Sequence, residues 1–428
     1  MRVAGIIAAA FASALASAAQ AQAPTQTTIP LDAAKAAALF AEGQVVCRRD
    51  AGKLWRHSLC GPIMLVDPDR SLIIASQADA GGILKPVNPA AGGALFSGKI
   101  PDQMPVANTA TDWSGTTWTQ LIWPFVSPDA ETRHVMLAHE LFHRIQRDLP
   151  IARFNDGDNG QMDTLEGRYL LQLEWRALTK ALQAKTPAAR KAAVADALLF
   201  RAERYRRFPT ALADEKGLEL NEGVAEYTGV RAGLTSPAAR TAYATGPAYG
   251  LMLDQADPAW RTKLKSGPAL WQLLQTALKL PAPAPTEAAV AARAKAYDDG
   301  TLRKFEVARE DARQKRAAAY RAALVDGPVL TLPTAKSNRE FRPSTLVGLD
   351  DVGTVYPTLR LTAAWGALQV TDSSSGALLY KAGGAAVSLK GADASGLKGA
   401  GWTLTLNPGW SVKPGPRPGD MTLAHDGP

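Results

Sequence analysis

The sequence is poor in cysteine, in histidine and in concentrated charge. Its 428 residues include 2 Cys and 5 His, and 46% of them are apolar and 21% charged. Two cysteines exclude a disulfide-dense scaffold and a zinc finger built from several cysteines. The net charge is +8, but no short run of Lys and Arg concentrates it, so no nucleic-acid partner is predicted. The composition is that of a globular protein with two or three domains.

Several common catalytic motifs are also missing. The chain has no GxSxG nucleophile elbow, no P-loop and no GxGxxG dinucleotide fingerprint. No repeat of roughly 20–50 residues indicates a solenoid or a propeller. The acidic loop 156–161 departs from an EF-hand, because Gln161 and Gly167 stand where Gly and Glu are needed. We interpret that loop as a polar turn.

The first residues have the pattern of a secretory signal peptide. Arg2 is followed by an unbroken small and apolar run, and Ala19-Gln20-Ala21 fits a signal-peptidase site, with 21–23 as a second option. The run is shorter than the roughly 18 residues of a membrane span, which disfavours an uncleaved anchor helix. We therefore predict a signal peptide over 1–21 and an exported protein, periplasmic or secreted. No later segment is apolar enough to cross a bilayer.

Export gives the two cysteines a predicted role. In an oxidising compartment Cys47 and Cys60 can form a disulfide, which would close a hairpin around the Ala-Gly pair at 51–52. The alternative is a pair of buried free thiols. Neither cysteine lies in a His and Asp arrangement that would indicate a nucleophile.

Strand-like and helical patterns divide the chain into three parts, which predicts an α+β fold. The pattern is strand-like from Val45 to about Phe125 and β-like again over 329–428. The part between is helical, and Asp163 with Glu166 has the form of a capping box. The expected helices cover about 132–149, 163–182, 188–207, 218–232, 238–253 and 287–324. We predict a main domain over 22–328 and a C-terminal β module over 329–428.

The most informative motif is His139-Glu140-Leu141-Phe142-His143, an HExxH sequence inside a helical pattern. Residues four apart on a helix point the same way, so both imidazoles can bind one Zn²⁺. Glu140 is rotated about 100° from His139 and can act as the base for water at the metal. The alternative is an amphipathic helix that happens to carry two histidines. We predict zinc as the cofactor.

A catalytic zinc site needs a third protein ligand. The metzincin pattern fails, because Gln146 and Leu149 stand where Gly and His are required. A carboxylate is the better candidate, and four acids fall on one predicted helical face: Glu215, Glu219, Glu222 and Glu226. Such a stripe repels itself unless cations neutralise it. Arginines at 201, 204 and 207 are expected to neutralise Glu215. They are also an alternative to a metal as the partner of Glu219.

Two other acids are rivals for the third ligand position by their distance from the motif. Glu166 already has a role as the capping-box acid. Glu174 is expected to pair with an arginine instead. The downstream stripe is therefore preferred.

Together, HELFH and the later segment NEGVAEY resemble the gluzincins, zinc peptidases that pair HExxH with a downstream glutamate ligand. The NEG triplet is similar to the third-ligand helix of the zinc aminopeptidases. This resemblance implies a zincin-like fold, with Glu222 as metal ligand and Glu226 orienting a histidine, although the choice between these two acids stays open. The 79 positions from His143 to Glu222 exceed the short spacing of that family, and its GxMEN segment is absent. Aminopeptidase specificity is therefore not implied.

Two further roles are expected from the same resemblance. An edge strand before the zinc helix would line the substrate, and residues 113–118 are the candidate, with an ordinary sheet strand as the alternative. A tyrosine would stabilise the oxyanion, and we assign this catalytic role to Tyr249, with Tyr227 as the other candidate and simple packing as the alternative.

The predicted function is an exported zinc-dependent hydrolase, a peptidase acting on a peptide or protein substrate. The alternative is a non-catalytic envelope binding or scaffold protein with a structural or vestigial zinc site. A zinc hydrolase acting on non-peptide amides would use the same residues. The substrate, endo- or exo-action and oligomeric state stay open.

Overall fold

The computed structural model describes residues 30–87, 94–101, 104–154, 157, 159–236, 247–341, 345–349, 351–371 and 375–425. The predicted signal peptide lies outside these residues. The fold is mixed α+β and divides into two compact units, with the boundary between Arg303 and Lys304. Among the helices described, none is long and apolar enough to span a bilayer.

A six-stranded sheet forms the N-terminal part of the first unit. Its strand order is β3-β4-β2-β1-β6-β5, and every neighbouring pair is antiparallel except β1 with β6. All of β1 is buried, because Leu65 faces the helical core while Val66 faces a second cluster around Trp118. The strands are β1 (Ile63–Asp67), β2 (Leu72–Ala75), β3 (Lys85–Val87), β4 (Leu95–Lys99), β5 (Thr109–Trp113) and β6 (Thr116–Ile122).

Helices pack on one face of this sheet and build the rest of the first unit. They are α1 (Ala33–Asp50), α2 (Ala130–Gln146), α3 (Leu165–Gln183), α4 (Pro187–Arg207), α5 (Ala211–Leu218), α6 (Val224–Thr228), α7 (Ala248–Ala256), α8 (Trp260–Lys263), α9 (Leu270–Ala277) and α10 (Glu287–Ala294). A π-helical turn, Glu219–Gly223, joins α5 to α6, and a second one, Gly229–Gly233, follows α6. We call the continuous stretch from Ala211 to Gly233 the ligand segment.

The strand-like interpretation from Val45 onward was wrong at its start. Residues 33–50 form α1, which Asp32 caps by accepting the Lys35 N–H at 2.8 Å. Leu39, Phe40 and Val46 are buried at helical spacing, and this tertiary packing outweighs the strand propensity of the Val45-Val46 pair. The disulfide segment therefore starts on a helix and not in a hairpin.

Two other local predictions needed correction. The cap of α3 is Thr164, whose hydroxyl accepts the Gly167 N–H at 3.0 Å, so Asp163 and Glu166 do not form the expected capping box. The single helix expected over 287–324 is broken into α10 and α11 (Thr301–Arg321). The break contains Gly300, whose φ of +98° favours glycine. The helix expected over 238–253 is tested only in its second half, where α7 covers Ala248–Ala256, because residues 237–246 lie outside the described part.

The second unit contains two sheets around one core. Their orders are β17-β18-β7-β14-β13-β10-β9 and β15-β16-β12-β11-β8. Leu330 of the first sheet and Trp402 of the second belong to the same buried cluster. The strands are β7 (Val329–Leu332), β8 (Asn338–Phe341), β9 (Val347–Leu349), β10 (Gly353–Tyr356), β11 (Leu359–Ala363), β12 (Gly366–Val370), β13 (Ala377–Tyr380), β14 (Ala385–Ser388), β15 (Lys398–Gly399), β16 (Trp402–Leu406), β17 (Trp410–Pro414) and β18 (Met421–His425).

The division between the units falls earlier than the 328/329 boundary expected from the sequence. Tyr320 at the end of α11 and Leu324 in the π-helical turn after it are buried against Val347, Val355 and Leu378. The later part of this helix is thereby packed into the β-rich unit. A change from helical to strand pattern marks a change of secondary structure, and here the compact unit extends across it.

Candidate metal centre

His139 and His143 lie on one face of α2, one turn apart. The helix begins after Asp129, whose carboxylate accepts the Thr132 N–H at 2.7 Å, and buried residues such as Leu141 anchor its other faces in the core. Because residues four apart on a helix point the same way, both imidazoles face the same space. Their Nε2 atoms are 3.0 Å apart, and the side chains are only 12% and 13% exposed.

Glu222 reaches these imidazoles from the first π-helical turn of the ligand segment. Its Oε2 lies 3.4 Å from His139 Nε2 and 3.3 Å from His143 Nε2. One ligand atom from each of the three residues lies within 4.8 Å of the others, so this group could hold a metal ion. The ligand segment thus supplies the downstream acid that the sequence places near the HExxH motif.

Two glycines allow α2 and the ligand segment to approach each other. A Cβ on Gly229 would lie 2.8 Å from the Val135 carbonyl oxygen and 3.4 Å from His139 Cβ. A Cβ on Gly233 would lie 2.6 Å from the His134 carbonyl oxygen. Any side chain at these positions would push the two elements apart, and the acid on the ligand segment would move away from the histidines.

Burial and charge act in opposite directions on the three side chains. Burial favours the neutral imidazoles, but the Glu222 and Glu226 carboxylates raise the pKa of His139 well above its usual value, and Glu222 raises the pKa of His143. Burial also opposes the charged form of Glu222, yet the two histidines hold the pKa of its carboxyl far below its usual value. The site therefore stabilises positive charge, either as protons on the imidazoles or as a metal cation that replaces those protons.

Each histidine has an outer partner at its Nδ1 atom. Glu226 Oε2 lies 3.0 Å from Nδ1 of His139, and Gln146 Oε1 lies 2.8 Å from Nδ1 of His143. Partners of this kind orient metal-binding imidazoles and fix which nitrogen faces the metal. Glu226 is therefore placed to orient His139, while Glu222 contacts both Nε2 atoms.

Glu140 is buried beside the histidines without being part of the three-residue group. Glu140 is only 5% exposed, and its Oε2 has no hydrogen-bond partner among the described residues. Burial raises the pKa of the Glu140 carboxyl, and the charges of His139 and His143 oppose this shift. A buried carboxylate oxygen without a partner is costly, which is typical of a side chain retained for chemistry.

The acidic stripe separates into two pairs with different partners. Glu215 accepts hydrogen bonds at 2.6 Å from both Nε and Nη2 of Arg204, and Glu219 Oε2 accepts one from Arg201 at 2.8 Å. Glu174 is fully buried; its Oε1 accepts a hydrogen bond from Arg201 and its Oε2 accepts one from Arg204. This buried ion network holds α4 against the ligand segment.

Glu174 therefore pairs with arginine, as expected, and Glu166 contacts Arg207 and Arg303.

The tyrosine assigned to the oxyanion belongs to the ion network instead. Tyr249 is 3% exposed, its hydroxyl donates to Glu174 Oε1 at 2.7 Å, and its ring packs against the Arg201 guanidinium. The Tyr227 hydroxyl similarly donates to Asp254 at 2.8 Å. Both hydroxyls have committed partners away from the three-residue group, so packing accounts for both tyrosines and the catalytic assignment of Tyr249 is withdrawn.

Cys47 and Cys60 form a disulfide that closes a loop against α2 and the ligand segment, the two elements that carry the three-residue group. Arg144 of α2, next to His143, donates to the carbonyl oxygens of Leu59 at 3.1 Å and Cys60 at 2.8 Å. Trp55 of the loop donates from Nε1 to the Thr228 hydroxyl at 2.9 Å and packs against Phe142 in a tilted arrangement, with ring centroids 5.1 Å apart. The disulfide loop therefore braces α2 and α6 directly behind the site.

The segment proposed to line the substrate is only partly an edge strand. Residues 113–118 contain the turn at Ser114 and Gly115, both with positive φ, and the start of interior strand β6. The two edge strands of the sheet are β3 and β5, and β5, Thr109–Trp113, is the one that pairs with β6. Helix α2 packs against both β5 and β6, and Arg147 just after α2 bonds Asp112 of β5 at 2.5 Å. The candidate edge is therefore β5.

Sequence reasoning missed three residues that support the site. Gln146 served only to exclude the metzincin pattern, although a polar side chain one turn after His143 on the same helix was a usable signal. Arg144 and Trp55 had no such signal, because their partners come from the disulfide loop and from the ligand segment.

Comparisons with protein-family models, curated proteins and solved structures found no match to this chain.

Proposed function

We propose that this protein is an exported zinc-dependent hydrolase with a zincin-like main unit, and that it cleaves peptide bonds. The proposal assigns His139, His143 and Glu222 as metal ligands and Glu140 as the general base. Glu226 orients His139 in this assignment. The gluzincin resemblance of the HELFH and NEGVAEY segments supports the same choice of residues.

The spacing of three ligand atoms carries the proposal. Zinc bonds of about 2.0–2.1 Å in a tetrahedral arrangement place neighbouring ligand atoms about 3.3–3.4 Å apart. The edges of the observed triangle are 3.0, 3.3 and 3.4 Å. Moreover, Glu222 Oε2 is buried and has no hydrogen bond of good geometry, although two imidazole nitrogens lie close by. Two His and one Glu with these spacings suit a catalytic zinc site.

The side chains present supply the proton chemistry that hydrolysis needs. Zinc held by three protein ligands would lower the pKa of water in the open position and polarise a substrate carbonyl. Glu140 takes a proton from the attacking water and returns it to the departing amine. Its Oε2 has no hydrogen-bond partner among the described residues, so that oxygen is free to accept the proton. Glu226 and Gln146 keep the imidazoles in place.

An extended peptide is the substrate that suits the surroundings of α2. Strand β5 is one of the two edge strands of the sheet, and it lies against α2. An edge strand offers unpaired backbone N–H and C=O groups, to which a peptide backbone can bind as an added strand. A non-peptide amide would use the same metal site but gain little from this edge.

The disulfide supports the proposed export. Bonds between cysteines persist in oxidising compartments and are rare where thiols are kept reduced. Here the bond braces the proposed catalytic helix, so export would favour the assembled site. Together with the signal-peptide pattern over 1–21, this indicates the periplasm or the cell exterior.

The test compares Glu140→Gln with Glu131→Gln, a matched change in the exposed first turn of the same helix. Turnover of a peptide library by the full chain should be abolished by a chelator and restored by zinc. Glu140→Gln should retain one zinc per chain and lose at least about 10²-fold in kcat, the lower range for a general base. Glu131→Gln should match the unmodified protein. Retained turnover in Glu140→Gln would remove the mechanism.

A different outcome would favour the binding or scaffold alternative. In that case the chain would bind zinc through the same three residues and turn over neither peptides nor simple amides. Turnover of amides but not of peptides would support the metal site and reject the assigned substrate class.

A further inference from the structure

The amide of Gln146 bridges the two elements that carry the proposed ligands. Gln146 is the last residue of α2, three positions after His143. Its Oε1 lies 2.8 Å from His143 Nδ1, and its Nε2 donates to the carbonyl oxygens of Leu220 at 3.2 Å and Asn221 at 3.0 Å. Those carbonyls belong to the residues just before Glu222, so one side chain contacts both sides of the site.

The partners of this amide fix its orientation. A backbone carbonyl oxygen can only accept, so the NH₂ group of Gln146 must face Leu220 and Asn221. The amide oxygen then faces His143 and, because it can only accept, Nδ1 of that imidazole must carry the hydrogen. In the neutral ring the lone pair is left on Nε2. That atom is the one that faces His139 and Glu222.

We propose that Gln146 is a positioning residue of the metal centre, which holds His143 with its Nε2 lone pair towards the metal and ties α2 to the turn that carries Glu222. The inference rests on the proposed function, because it gives a residue a role in the same site. Gln146 itself touches neither substrate nor metal in this role.

The two outer partners of the histidines therefore differ in kind. Glu226 is a carboxylate, which can only accept, and it orients His139. A carboxylate at position 146 would also accept from His143, but its second oxygen would face two carbonyl oxygens and repel them. Only an amide satisfies all three contacts, and this distinguishes Gln146 from an ordinary hydrogen-bond acceptor.

The test measures zinc affinity by competition with a chromophoric chelator, and the visible spectrum of the Co²⁺-substituted protein. Gln146→Ala should weaken zinc binding by about 10–100-fold, the usual effect of losing an outer partner of a metal ligand. It should also change the Co²⁺ spectrum, which reports the ligand geometry. Gln146→Glu should be weaker than the unmodified protein as well, because it keeps the His143 contact but breaks the tie to the ligand segment.

Gln275→Ala is the matched control. Gln275 also donates its amide to a backbone carbonyl, that of Pro281 at 3.0 Å, so this change removes the same kind of bond elsewhere in the first unit. It should leave zinc affinity and the Co²⁺ spectrum unchanged. If Gln146→Ala does not fold, Gln146→Met, which keeps the length of the side chain without its amide, takes its place.

The outcomes separate this inference from the proposed function. If the unmodified protein binds zinc and turns over peptides, but the folded Gln146→Ala variant binds zinc within twofold of it, the positioning role is refuted and the proposed function stands. If Gln146→Glu binds as tightly as the unmodified protein, the tie between the two elements is refuted. If the unmodified protein binds no zinc, both fail.

Discussion

Reduction of the bond between Cys47 and Cys60 should destabilise the first unit by an amount that follows from the loop it closes. The two cysteines are 13 positions apart, so the closed loop contains 14 residues counting both ends. Loop-closure entropy in the unfolded chain gives a stabilisation of about 3 kcal/mol for a loop of this length. Arg144 of α2 contacts the loop and Trp55 of the loop contacts Thr228 of α6, which places this effect at the elements that carry the proposed ligands.

Urea unfolding, followed by tryptophan fluorescence with and without a thiol reductant, measures this effect. The chain has 2 Cys, both in this bond, so a reductant has no other disulfide to break. The matched control is the double variant Cys47→Ser, Cys60→Ser, whose unfolding should not respond to the reductant and should resemble that of the reduced protein. A change below about 1 kcal/mol would refute the reasoning, because the loop term alone predicts about three times more.

Three further predictions concern the buried ion network and the close approach of the ligand segment. Arg204→Leu should lower the free energy of unfolding by about 3–5 kcal/mol, because it leaves buried carboxylates unpaired, and a loss below about 1 kcal/mol in urea unfolding would contradict this. Burial raises the pKa of Glu174, but Arg201 and Arg204 outweigh burial and lower this pKa in the folded state. The stabilisation that ionised Glu174 contributes is therefore complete above its unfolded pKa near 4.5, and it is lost as the pH falls through the lower pKa of the folded state. Acid unfolding should show this loss, and Glu174→Gln should remove it; an unchanged acid profile would refute the assignment. Gly233→Ala should lower the free energy of unfolding by about 1–3 kcal/mol, because the added carbon overpacks against α2, and it should also weaken zinc binding. The control is Gly82→Ala, where the added carbon meets open space but φ is positive. This variant should change stability and leave zinc binding unchanged.

Helix α2, which carries the HExxH motif, was predictable because its signal is local. The HExxH spacing, an apolar pattern of helical period and the cap at Asp129 all lie within about 20 residues. Its expected bounds, 132–149, differ from the observed 130–146 only at the ends. The position of Glu222 was reachable through the NEG triplet, and the structure places it against both histidines.

The supporting contacts were not predictable because they join distant parts of the chain. Whether Glu219 would bind a metal or an arginine depends on where Arg201 lies, and no local pattern states that. The same holds for Tyr249, whose hydroxyl meets Glu174. The ligand segment also contains two π-helical turns, which shift the side-chain register and make the ideal helical face of the acidic stripe only approximate.

Local propensity also misled where tertiary packing decides the structure. The Val45-Val46 pair favours a strand, yet the buried face of α1 includes Val46 and Cys47. The β-like pattern over 329–428 was more dependable, since the strands β7 to β18 all lie within those bounds. Strands with one buried face have a recognisable alternation in the sequence, whereas a helix whose last turns contain β-branched residues can be mistaken for a strand.

The most direct test of the central claim is the location of the metal in crystals of the full chain grown with zinc. An anomalous difference map recorded at the zinc absorption edge should show one strong peak about 2.0–2.2 Å from Nε2 of His139, Nε2 of His143 and an oxygen of Glu222. A zinc peak bound by other residues would contradict the account. So would the absence of a peak between these three side chains in a crystal whose other zinc sites are fully occupied.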